Sequence, residues 1–205
     1  MTVISTTLHK GYTVEVIVDE YAEGPRVDCD NLGTMVCWHR NYKLGDKHEF
    51  GQPADAMKHI KATGAVWLPL YLYDHSGITM NTTGFSCPWD SGQVGYIFVE
   101  RDKILKEYGV KRITKAIREK VVDVLRAEVT EYDYHLTGQV YGYVVKKDGK
   151  TEESCWGFYG DEKYALEEGK SMAEGLANEA VKARLKKVKV LIRKRVPLEA
   201  RACTA

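Results

Sequence analysis

The sequence predicts an α+β fold: a mixed, mainly antiparallel sheet built from hairpins and packed by two long helices. The first observation is a series of short, alternating segments rich in β-branched and aromatic residues and joined by turn-forming residues. The second is a pair of long stretches with apolar residues at helical spacing. The strands run in hairpins rather than in strand–helix–strand units, which favours α+β over a parallel α/β sheet.

In the first half of the chain, alternation predicts strands at residues 12–20 and 33–40. Pro53 followed by apolar residues on one face predicts a short helix. Residues 65–85 predict a hairpin whose turn has the sequence Asp-His-Ser-Gly, and residues 94–99 predict one more strand.

The second half contains the two long helices, with a hairpin predicted between them at residues 139–160. Asp161 is the expected N-cap of the second long helix, in which Gly169 and Gly175 are unfavourable. The first long helix is predicted from an apolar stripe at helical spacing, formed by Ile113, Ile117, Val121, Val124 or Leu125, and Val129.

Length and charge predict the domain organisation. A chain of 205 residues is long enough for one domain with a substantial core, and we expect a single α+β domain over residues 1–180. Residues 181–205 are expected to form a basic C-terminal helix and tail, because nine of the 30 Lys and Arg residues lie there against one acidic residue.

Cysteine usage and the absence of motifs narrow the class of function. The five cysteines are odd in number and form no CxxC pair, which predicts reduced thiols and a cytoplasmic protein. No apolar run is long enough to predict a membrane span. Walker A, dinucleotide-binding, HExxH and zinc-site patterns are missing, and Asp28 and Asp30 do not complete a calcium loop. No cofactor or metal is therefore predicted.

The segment from Pro69 to Val99 carries more reactive and polar side chains than a turn requires. One interpretation is a binding patch, formed by His75, Trp89, Asp90, Gln93 and Tyr96. A second is an enzyme site with Cys87 as nucleophile, His75 as base and Asp90 as the orienting carboxylate, although no cysteine-hydrolase signature is present. The plain alternative is a capped turn with Cys87 and Trp89 packed in the core.

Two further features bear on partners. The thirteen tyrosines and four tryptophans exceed the four phenylalanines, and rings with a polar handle are favoured at interfaces. The basic C-terminal segment either docks Val181, Leu185, Val188 and Ile192 on the body or tracks a phosphate backbone. The residues expected to contact nucleic acid in that alternative are Lys186, Lys187, Lys189, Arg193, Lys194 and Arg195.

Three strings of the sequence, DNLGTMVCWHRNYKLGD, LPLYLYDHSGITMNTTGFSCPWDSGQVGYIFV and ESCWGFYG, resemble a family of small uncharacterised proteins from bacteriophages and mobile elements. The resemblance covers residues 30–160 and implies no activity or site residues. It implies a phage-type accessory protein that acts in a bacterial cytoplasm, where such proteins often bind and disable host machinery, including defence systems.

These observations favour a phage-type accessory protein that binds and modulates or inhibits a host macromolecular complex. The first alternative is a small enzyme that acts on a nucleotide or small molecule through residues 74–93. The second is a nucleic-acid-binding protein that uses the basic C-terminal segment. The sequence favours the absence of catalysis and makes no prediction of the oligomeric state.

Overall fold

The computed structural model describes residues 2–194, and within them the chain divides into two compact units. The central unit is formed by residues 21–139, and the terminal unit by the described residues on either side of it, 2–20 and 140–194. The α+β class is confirmed: every strand pairing in the described residues is antiparallel, although the strands divide between two sheets.

The terminal unit has one four-stranded sheet and one long helix. The sheet order is β1-β2-β7-β8. The elements are β1 (Val3–His9), β2 (Tyr12–Val18), β7 (Val140–Lys147), β8 (Lys150–Tyr159) and α5 (Glu162–Arg193). Asp148 and Gly149 both have positive φ, as a tight two-residue hairpin turn between β7 and β8 requires. Asp161 caps α5 as predicted, because its carboxylate accepts a hydrogen bond from the Lys163 amide.

The first half of α5 packs on this sheet through a small apolar cluster that contains Val14, Tyr143, Val145 and Ala173. Gly169 lies where the helix approaches the sheet most closely. A Cβ at this position would lie 2.6 Å from Val14 Cγ1. The glycine that weakens the helix locally therefore permits its close packing on the sheet.

The central unit contains the second sheet, in the order β3-β6-β4-β5, and four helices in the described residues. The strands are β3 (Thr34–Cys37), β4 (Val66–Asp74), β5 (Ile78–Asn81) and β6 (Ser91–Val99). The helices are α1 (Pro25–Asp28), α2 (Pro53–Ala62), α3 (Arg101–Glu107) and α4 (Lys115–Leu136).

Both faces of the central sheet are covered. On one face, Met35 and Cys37 of β3 join the large core cluster with Leu125 of α4. On the other face, Val36 packs with Ile60 of α2. This arrangement explains why β3 is apolar without strict alternation, since successive side chains enter different apolar layers.

Two elements were not predicted from the sequence. Strand β1 is largely exposed at the edge of its sheet, so its apolar pattern is weak, and the single-turn helix α1 is too short to show periodicity.

A domain is a part of the chain that folds independently, so the prediction of a single domain over residues 1–180 stays a prediction. Helix α5 continues without a break through residue 181, where the basic segment was expected to begin. None of the helices in residues 2–194 combines the length and the apolar character needed to cross a membrane.

Candidate functional site

The candidate site lies in the central unit, where β4 ends and β6 begins. The two strands pair antiparallel, with Tyr73 opposite Ser91, so the turn after β4 adjoins the loop before β6. The amide of Asp74 donates a hydrogen bond of 2.8 Å to the carbonyl of Asp90 across this junction. The pairing therefore places His75 and Asp90 side by side although fifteen positions separate them in the chain.

The carboxylate of Asp90 is the centre of this cluster. His75 Nδ1 lies 3.5 Å from Asp90 Oδ2, and the Cys87 thiol donates to the same oxygen at 3.6 Å. The Ser91 hydroxyl donates to the Cys87 carbonyl, which closes the loop. The three residues of the enzyme interpretation are thus brought together around one carboxylate.

Their order is not the one that nucleophilic catalysis uses. In an activated cysteine site the base contacts the nucleophile and a third group orients the base. Here the carboxylate lies between the thiol and the imidazole, and no hydrogen bond joins Cys87 to His75 in residues 2–194. The contacts hold the loop against the turn and place a carboxylate, rather than the imidazole, next to the thiol.

Next to this cluster runs a groove of about 500 Å³, called here the Trp89 groove. Its lining residues are Trp38, His39, Arg40, Leu72, Asp74, Trp89, Asp90, Ser91, Gly92, Gln93 and Val94. Trp89 is 91% exposed. The core position that the plain alternative assigned to this tryptophan is therefore wrong.

Of the residues expected in the binding patch, three line the groove: Trp89, Asp90 and Gln93. His75 is not a lining residue, but it contacts Asp90, which is. Tyr96 is placed elsewhere. Its ring meets Trp67 edge to face, at 5.6 Å between centroids, and packs beside the apolar layer under α2. The binding role of all five residues stays a prediction.

Sequence reasoning missed the contribution of the segment that follows β3. The rings of His39 and Tyr42 stack with centroids 5.0 Å apart, and the Tyr42 hydroxyl donates to Asp74 Oδ1 at 3.2 Å. The negative charge of Asp74 raises the pKa of Tyr42 above its usual value, so the phenol keeps its donor proton. The only feature of the sequence that could have indicated this contribution is the string His-Arg-Asn-Tyr near the end of β3.

A second groove, of about 720 Å³, shares Trp38, His39 and Arg40 with the first and is lined otherwise by residues 37 and 42–48. Cys37, one of its lining residues, is buried. Burial, with a smaller contribution from the nearby Asp46 carboxylate, raises the pKa of the Cys37 thiol to about 12. This cysteine therefore stays protonated through neutral pH and acts as an apolar side chain.

We expect the thiols to differ in reactivity at pH 8. The exposed Cys155 should react quickly with an aromatic disulfide reagent, while Cys37 should react only after denaturation. The measurement is the absorbance of the released thiolate over time, with and without urea. Cys155→Ser should remove a fast phase and Cys37→Ser a phase seen only in urea. Loss of a fast phase in Cys37→Ser would contradict the prediction.

Beneath the second groove, a buried ion network anchors the loops that form the site. Arg26 Nη2 lies 2.5 Å from Asp46 Oδ2, and its Nη1 donates to Glu128 Oε2 at 2.8 Å. Burial would lower the pKa of the Arg26 guanidinium, but the two carboxylates raise it above its ordinary value. The carboxylate of Asp46 is thus paired with an arginine.

The basic segment lies on the second half of α5, in the terminal unit. Lys186, Lys187, Lys189, Arg193 and Lys194 are exposed there, and Arg195 lies outside the described residues. Val181, Leu185, Val188 and Ile192 are exposed as well. Within the terminal unit these four apolar side chains are therefore left uncovered, so the expectation that they dock there is wrong.

The chain matches no protein-family model, no curated protein and no solved structure.

Proposed function

We propose that this protein binds a partner protein through the Trp89 groove and thereby modulates a host macromolecular complex. The observation that carries the proposal is the exposure of Trp89. A fully buried aromatic side chain contributes up to about 3 kcal/mol from the hydrophobic effect, which Trp89 does not realise within its own chain.

The surroundings of Trp89 resemble the composition of protein interfaces. Tryptophan, tyrosine and arginine are the residues that most often dominate binding energy, and Trp89 lies beside a groove that Arg40 also lines. The carboxylate of Asp90 and the amide of Gln93 provide polar groups at the same groove. A partner that inserted an apolar group beside Trp89 would also have these two hydrogen-bonding groups within the same groove.

The resemblance to bacteriophage and mobile-element proteins supports the second part of the proposal, that the protein modulates a host complex. It implies that the partner belongs to the machinery of a bacterial host. Inhibition of a defence system is one form that such modulation takes. The order of Cys87, Asp90 and His75 favours this binding function over the enzyme alternative, because no hydrogen bond in residues 2–194 joins the thiol to the histidine expected as its base.

Trp89→Ala is expected to weaken partner capture by about 2 kcal/mol or more, which is roughly thirtyfold in the dissociation constant. Because the side chain is exposed, its removal should leave folding unchanged. Tagged protein is used to capture its partner from host lysate, and the affinity of the purified partner is then measured by calorimetry. Cys87→Ser should retain full affinity.

The matched control is Val27→Ala, which truncates another exposed apolar side chain of the central unit away from the groove. It should bind as the wild type does. Circular dichroism establishes that each variant is folded. A biological effect lost in Cys87→Ser and kept in Trp89→Ala would overturn the proposal in favour of catalysis.

A further inference from the structure

The second half of α5 presents an uncovered apolar stripe. Val181, Leu185, Val188 and Ile192 are 57%, 54%, 36% and 52% exposed. Apolar side chains at a helix surface are normally turned towards a core. Here the terminal unit covers only the first half of the helix, where Ala165, Gly169 and Ala173 are buried.

The stripe has the spacing of a coiled-coil seam. The four residues are separated by four, three and four positions, which corresponds to d, a, d and a in successive heptads. At 100° per residue they fall within a narrow band on one side of the helix. Val190 lies on the opposite side of the helix and is not part of the stripe.

Three of the four e and g positions that flank the stripe are basic, and the fourth is Leu191. Lys182, Arg184 and Lys189 occupy the e and g positions, which set partner choice in coiled coils. Glu179 is the single acidic residue of positions 178–194, against seven Lys and Arg residues. A second copy of this helix would bring like charges together along the seam, which is destabilising.

We propose that this half of α5, in the terminal unit and separate from the Trp89 groove, docks an amphipathic helix of a partner protein with acidic residues at its e and g positions. The apolar stripe inserts into the partner seam, and the basic flanks pair with the carboxylates. Contacts to nucleic acid would use the lysines and leave the stripe exposed. A helix lying in a membrane interface normally has a broader apolar face with aromatic residues, and this segment has none.

The test uses the full-length protein and two synthetic three-heptad peptides as probes. Both have leucine at a and d, and they differ only in having glutamate or lysine at e and g. Fluorescence anisotropy should show binding of the glutamate peptide at least about tenfold tighter than binding of the lysine peptide. Reversing the flanks with Lys182→Glu, Arg184→Glu and Lys189→Glu should invert that preference.

The stripe is tested by Leu185→Asp with Ile192→Asp, which should weaken binding of the glutamate peptide at least about tenfold because a charge enters the seam. Val190→Asp is the matched control, since it places the same residue on the opposite side of the same helix. It should leave binding within about twofold, and circular dichroism of all variants reports helix content.

Four outcomes would overturn the proposal. The first is equal binding of the two peptides, and the second is an equal effect of Val190→Asp and the stripe substitutions. The third is tighter binding of duplex DNA or of phosphatidylglycerol vesicles than of the glutamate peptide, unaffected by the stripe substitutions. The fourth is self-association in sedimentation experiments that the stripe substitutions abolish.

Discussion

Arg26→Ala is expected to lower the free energy of unfolding of the central unit by about 3–5 kcal/mol, because it leaves two carboxylates without their counterion. The Arg26 side chain is only 6% exposed. Its guanidinium bridges Asp46 and Glu128 and also donates to the Gly33 carbonyl at 2.6 Å. Removal of one partner of a buried ion pair is much more destabilising than replacement of the whole pair by apolar residues.

The same network satisfies the backbone of the chain around β3. Glu128 accepts hydrogen bonds from the amides of Leu32 and Gly33, and Asp46 accepts one from Met35. Without Arg26 the negative charges of the two carboxylates would no longer be balanced. The loop at residues 38–48, which lines both grooves, would then lose an anchor next to the candidate site.

Urea denaturation followed by tryptophan fluorescence measures this effect, since three of the four tryptophans, Trp38, Trp67 and Trp89, lie in the central unit. The control is Arg126→Ala, which removes an exposed arginine that pairs with Asp123 at 3.4 Å on α4. It should change the free energy of unfolding by no more than about 0.5 kcal/mol. Equal effects of the two substitutions would refute the importance of the buried network.

Leu125→Ala is expected to destabilise the central unit by about 2–5 kcal/mol through lost burial and the cavity left behind. Leu125 is fully buried in the cluster between α4 and the sheet, where Met35 and Ile97 also lie. Its Cδ2 approaches the Cα of Gly33 so closely that a Cβ there would lie 2.5 Å away. The surrounding atoms are tied to strands and to the ion network, so the site cannot collapse to fill the gap.

Val124→Ala is the matched comparison, because the sequence left Val124 and Leu125 as alternatives for the same position of the stripe. Val124 is only partly buried. Its truncation should change the free energy of unfolding by less than about 1 kcal/mol, helped by the higher helix propensity of alanine. Chemical denaturation measures the free energy of unfolding of both variants. A larger decrease in Val124→Ala than in Leu125→Ala would contradict the packing of α4.

Local features of the chain were largely predictable from the sequence. Asp161 caps α5, and Asp148 with Gly149 forms the turn between β7 and β8, because caps and tight turns depend on a few neighbouring residues. The helical stripe of α4 was predictable for the same reason. The proximity of His75 and Asp90 also followed from local information, since the hairpin and the next strand were recognisable as neighbours.

What the sequence left open depends on contacts between distant positions. Strand β2 pairs with β7 across more than one hundred residues, so the strands form two sheets rather than one. Arg26 meets Glu128, and Tyr42 meets Asp74, without any local pattern to indicate it.

The sequence alone thus determined the fold class, the turn between β7 and β8, the cap of α5 and the region of the candidate site, since each depends on residues that are neighbours in the chain. Only the tertiary structure decided that Gly169 is a contact point of α5 and that Cys87 donates to the Asp90 carboxylate rather than to the imidazole of His75. It also decided that Trp89 and the stripe of α5 face outward. The physical reason is that apolar residues at helical or strand spacing predict a buried face, whereas the chain packs only as many faces as its other elements can cover.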